Sequence, residues 1–100
     1  MRVSQNGMVP LGFQQITSLA ASTALTVPAG AEVAQIGIIM SVAGYVMYRD
    51  DGTAPTGAIG MPLYSGLEPF LYNGDLNAVR FIVGATGTLT SMNVLYYGVK

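Results

Sequence analysis

Glycine and proline cut this chain into short pieces, and the pieces between them have the composition of strands. Turn signals fall at Pro28-Ala29-Gly30, at Asp50-Asp51-Gly52-Thr53 running on into Ala54-Pro55-Thr56-Gly57, at Ser65-Gly66 and at Asn73-Gly74-Asp75. In such turns proline presets φ and glycine accepts the positive values that other residues avoid. The stretches between are rich in Val, Ile, Tyr, Phe and Thr, which suit a pleated, half-buried surface. Eight of them read as strands: Gly12 to Leu19, Ser22 to Val27, Val33 to Met40, Ala43 to Arg49, Gly60 to Tyr64, Leu67 to Tyr72, Ala78 to Val83 and Leu89 to Tyr97.

Their alternation assigns faces. Ala34, Ile36, Ile38 and Met40 share one side of the third run, and Val33 with Ile39 makes its other side partly apolar, which predicts a strand covered on both faces. Val46 and Tyr48 oppose Tyr45, Met47 and Arg49, while Val79, Phe81 and Val83 line up together. Tyr96 and Tyr97 are adjacent, so one of them faces away from the core. The helix candidate is Gln14 to Leu25, with Ile16, Leu19, Ala20 and Thr23 at helical spacing. Its load of Ser and Thr ranks strand above helix. Short strands with turn signals every 8 to 12 residues predict an all-β chain, a single β-sandwich or jelly-roll-like domain of about seven or eight strands. That domain is expected over residues 13–100, behind an N-terminal arm, residues 1–12, that orders on docking. No internal repeat points to a solenoid or propeller.

Charge narrows the functions. The 100 residues hold four Lys/Arg and five Asp/Glu, with no His and no Cys. These absences exclude a Ser-His-Asp triad, a Cys-His dyad, an imidazole base, a zinc site of His and Cys, and a disulfide. Four cations make no basic stripe, so nucleic acid is not an expected partner. Nor is a membrane: the uncharged stretch Val33 to Tyr48 is shorter than the roughly 20 residues a bilayer needs, and it is interrupted by Gln35, Gly37, Ser41 and Gly44. The first nine residues have no apolar run of the kind a secretory signal requires.

Charged residues make up 9% of the chain, against roughly 25% in ordinary soluble domains. The deficit implies that part of the surface packs against copies of the chain or a larger assembly. Glu32, Arg49, Asp50, Asp51, Glu68 and Asp75 sit at turns or strand ends, and Arg80 alone lies inside an expected strand. The strand faces are therefore where neighbours are expected. Tyr45, Met47 and Tyr97, if outward, are interface candidates, together with Arg80 between Val79 and Phe81.

The densest polar cluster is Arg49-Asp50-Asp51-Gly52-Thr53, followed by Pro55-Thr56. Adjacent carboxylates beside a threonine hydroxyl resemble part of a Ca²⁺ loop, but the spacing of the remaining ligands is missing. Asp-Gly at a strand end is a strong turn signal, and Arg49 is positioned to pair with a neighbouring carboxylate, so a structural loop ranks first and no metal or other cofactor is expected. Gly84-Ala85-Thr86-Gly87-Thr88 lacks the lysine and the following helix of a phosphate loop and reads as a strand connection.

Several stretches resemble small virion structural proteins of tailed bacteriophages. They are Leu25-Thr26-Val27-Pro28-Ala29-Gly30-Ala31, Tyr48-Arg49-Asp50-Asp51-Gly52-Thr53-Ala54-Pro55-Thr56, Gly60-Met61-Pro62-Leu63, Asn77-Ala78-Val79-Arg80-Phe81-Ile82 and Val94-Leu95-Tyr96-Tyr97. Together they cover roughly residues 23–97, and Arg-Asp-Asp-Gly-Thr-Ala-Pro-Thr is the most specific. The resemblance implies a non-enzymatic β-sandwich subunit of the phage particle. Joined to the charge deficit, it leads to the expectation of a decoration or cement protein, a homo-oligomer such as a trimer, seated on the major capsid protein or other virion proteins. A tail, neck or fibre protein is the nearest alternative. A small carbohydrate-binding module for host attachment, using exposed Tyr and turn carboxylates, is the alternative of a different class.

Overall fold

The runs between the turns pair as eight antiparallel strands in a computed structural model that describes residues 7–65 and 69–99. They are β1 (Met8–Ile16), β2 (Thr23–Ala24), β3 (Val33–Val42), β4 (Tyr45–Arg49), β5 (Met61–Tyr64), β6 (Phe70–Tyr72), β7 (Arg80–Val83) and β8 (Thr88–Val99). Two four-stranded sheets result, with orders β1-β8-β3-β6 (sheet I) and β2-β7-β4-β5 (sheet II). The pairs β4·β5, β3·β6, β2·β7 and β1·β8 nest one inside the next, as if the chain were doubled over between β4 and β5 and then rolled. That is the strand order of a jelly roll. The chain is all-β, and no helix is present among the described residues.

Alternation places the core between the sheets. Ile16, Ala34, Ile36, Met92, Val94 and Tyr96 face inward from sheet I, and Val46 and Phe81 from sheet II, with Val79 immediately before β7. Leu19, Leu25 and Leu76, all outside the strands, add buried side chains to the same cluster. An aromatic cluster bridges the sheets: the Tyr48 ring lies 5.6 Å from Phe70, 6.0 Å from Phe81 and 6.3 Å from Tyr72. Tilted and edge-on contacts of this kind add to what burial alone supplies. At one end the connections β3–β4 and β7–β8 touch at Gly44 and Gly87. A side-chain carbon on Gly44 would overlap the Thr86 carbonyl, and Gly87 has φ of 97°. Only glycine fits this crossing.

Three expectations need correction. Residues 8–12 are not an arm: β1 begins at Met8, and its pairing with β8 runs from Met8 opposite Val99 to Ile16 opposite Met92. An irregularity between Pro10 and Gly12 shifts the register there and erases the alternation that would have marked the strand. The second run contributes only Thr23 and Ala24 as strand, because the chain then dips inward to bury Leu25. Finally, β3 is covered on one face only, with Ile39 and Val42 exposed. The expected strand from Leu67 begins outside the described residues and is seen at Phe70–Tyr72.

Candidate interaction surfaces

The Arg49–Thr56 stretch is an internally braced loop. Arg49 grips Asp51 with both arms of its guanidinium, Nε to Oδ1 at 3.1 Å and Nη2 to Oδ2 at 2.6 Å. This hydrogen-bonded pairing raises the Arg49 pKa and lowers that of Asp51. Asp51 Oδ1 also accepts from the Thr53 amide, across Gly52 at φ of 89°. Thr56 Oγ1 accepts from the Ala58 and Ile59 amides and closes a second tight turn. Between these turns Pro55 is buried, and the chain returns at Gly60 against Pro55 and Met47. Asp50 points the other way and accepts the Tyr72 hydroxyl at 2.6 Å, tying the end of β4 in sheet II to β6 in sheet I. Burial, reinforced by that carboxylate, pushes the Tyr72 pKa up, so the phenol keeps its proton. Among the described residues no three potential metal ligands come together.

Tyr45, Met47, Arg49 and Arg80 share the outer face of sheet II, as cross-strand pairing of Met47 with Ile82 and of Arg49 with Arg80 requires. Met47 is no interface residue: at 9% exposure it is covered by the returning loop. Tyr45 lies across Gly84 with its ring 5.5 Å from that of Tyr64. Arg80 is exposed opposite Arg49, whose own charge is answered by Asp51.

Tyr97 belongs to the opposite side of the molecule, the outer face of sheet I, so the four candidates do not form one surface. That second face holds residues the sequence did not single out. Phe13, Leu95, Gln35 and Leu71 form a row across all four strands, in register from β1 through β8 and β3 to β6. Phe13 is 60% exposed, and Leu95, Leu71 and Ile39 are exposed as well. Two side-chain bonds tie this face together: Gln15 donates to Asn93 at 3.1 Å, and Tyr97 donates to Gln35 at 3.4 Å. Beside Phe13 and Leu95, Gly37 leaves a hollow of about 180 Å³, rimmed by Gln35, Asn93 and Pro69. Among the described residues no charged side chain takes part in these rows.

A second exposed apolar group, Ile59 and Met61, borders an open cleft of about 380 Å³ with Tyr48, Asp50 and the Arg49–Asp51 pair. In comparison with protein-family models, curated proteins and solved structures, nothing matches this chain.

Proposed function

We propose that this protein is a non-enzymatic structural subunit of a bacteriophage virion, a decoration or cement protein that self-associates and stabilises the head. The observation that carries the reading is exposed apolar surface on two separate parts of one small domain. One is the outer face of sheet I around Phe13 and Leu95, uncharged among the described residues; the other is the loop end around Ile59 and Met61. An isolated monomer gains nothing from either, whereas a shell component needs contacts both to its own copies and to the lattice beneath. The resemblance of the Arg49–Thr56 stretch to small phage virion proteins points the same way. Jelly rolls recur in viral shells and also in lectins, so the fold supports the reading by analogy alone.

The test is the number of copies in purified virions, with re-addition of the protein to particles stripped of it. Hundreds of copies, saturable binding and greater resistance of the head to heat are the expected result. A dozen copies or fewer would move the protein to the tail or neck. Binding to a glycan panel without binding to particles would replace the structural reading by host attachment.

A further inference from the structure

We infer that the outer face of sheet I is a two-fold interface with a second copy of this chain, in which Phe13 of each protomer enters the hollow above Gly37 of the other. The inference rests on the self-association in the proposed function and specifies its surface and symmetry.

Four observations converge. The face carries a knob and a hole side by side: Phe13 stands 60% exposed, and the hollow next to it measures about 180 Å³. An apolar cavity of about 150 Å³ accommodates benzene, so a phenyl ring fits. In an isologous contact each patch meets its own image. A two-fold axis passing between the knob and the hollow, over β8, therefore seats both rings at once.

The face is also ready to be buried. Its Gln15 and Asn93 amides bond to each other, and Gln35 accepts from Tyr97, so each amide on the face keeps one partner when it closes, and the free NH2 groups of Gln35 and Asn93 are left to bond across the axis. Its lack of charge among the described residues selects an uncharged partner, and a second copy supplies one by construction; at a net charge of -1 per chain, two copies repel only weakly. Lastly, β1, β8 and β3, with 9, 12 and 10 residues, lie side by side across about 30 Å by about 14 Å, and the three residues of β6 extend the edge. That flat area of about 500 Å² is on the scale of one partner's share in a small specific interface, where a standard one buries roughly 800 Å².

The absence of cysteine makes the test clean. Leu95→Cys, next to the axis, is expected to give a disulfide-linked dimer on mild oxidation, while Arg80→Cys on the outer face of sheet II stays unlinked. In sedimentation the native chain is a dimer, and Phe13→Asp and Gly37→Val each weaken it by about 10- to 100-fold, the loss of one apolar anchor. Gly37→Val is the decisive variant. A β-carbon there meets nothing within 4 Å in the monomer, and valine improves strand propensity, so the fold is expected to stay intact while the hollow fills. A native chain that remains monomeric overturns the inference. So does an oligomer that survives both variants or is trapped through Arg80→Cys; that outcome would leave virion binding, measured separately, untouched.

Discussion

Raising the pH above 10 should unfold this protein through two tyrosines, and the composition makes the effect unusually legible. With no His and no Cys, no side chain ordinarily titrates between about pH 5 and 9. The cations are three Arg and one Lys, so the alkaline limb is nearly free of lysine. Stability should therefore be flat across neutrality. Tyr96 is almost completely buried, and desolvation pushes its pKa up to about 12. Tyr72 is raised too, by burial and then by Asp50.

A phenol whose pKa is higher in the folded state adds stability that is complete below the unfolded value of about 10 and is lost as the pH climbs through the folded value. Each such group costs up to about 1.4 kcal/mol per pH unit, so the pair removes about 4–5 kcal/mol by pH 12. That is comparable with the whole stability of many domains of this size. Urea titrations at pH 7, 9, 10, 11 and 12 would measure it, with phenolate absorbance reporting ionisation. Tyr96→Phe gives up its hydroxyl bond to Gln14, about 1 kcal/mol at neutral pH, but should roughly halve the alkaline slope. Unchanged stability up to pH 12, or the same slope in Tyr96→Phe, would refute the reasoning.

Other expectations follow from single positions. Phe81→Ala empties a fully buried site beside Tyr48 and should cost about 3–5 kcal/mol in chemical denaturation. Ser22→Ala removes a buried hydroxyl that has no hydrogen-bond partner among the described residues; a gain of about 1 kcal/mol, or about 4–8 °C in Tm, is expected in a thermal melt. Gly87→Ala places a side chain at φ of 97° against Gly44 and should destabilise by more than about 1 kcal/mol. Asp51→Asn should leave the melt almost unchanged, because the Arg49 pair is exposed, while speeding amide exchange at Thr53. In the native protein the protection of that amide, with the intrinsic pH dependence of exchange divided out, should fall as the pH falls through the lowered pKa of Asp51, where the carboxylate takes up its proton.

Alternation and turn chemistry made the strands readable but not their partners. Val79, Phe81 and Val83 were legible as one face because three apolar residues at period two leave little choice. β3 was not, since apolar residues on both of its sides conceal which side is buried, and only the position of sheet II decides it. The irregularity between Pro10 and Gly12 hid half of β1 by breaking the period on which recognition depends. Arg49 and Asp51, two residues apart, could be read as a pair. Asp50 with Tyr72 could not, because the bond joins different sheets across 22 positions. Met47 has the outward parity expected of it, yet nothing in the sequence says where a loop will land, and Pro55 landed near it. The Phe13 surface escaped notice because its row exists only once β1, β8, β3 and β6 are in register.

The nested pairing carries a kinetic consequence. The bend of the doubled chain is the Asp50–Gly60 loop, so its two turns and the Arg49–Asp51 clasp bring β4 and β5 together over the shortest closure available to any strand pair in the molecule. Each outer pair then closes a longer loop, until Ile16 meets Met92 across three quarters of the chain. Folding on this plan is expected to run from the middle outward and to be slow for a chain of this size. β8 is made after β3, so a ribosome-bound chain holds β3 for a time without its β8 partner, and the low charge offers it little protection from its neighbours. The loop read from the sequence as a structural turn is then where folding is expected to start, and weakening it should show first in the yield of soluble protein.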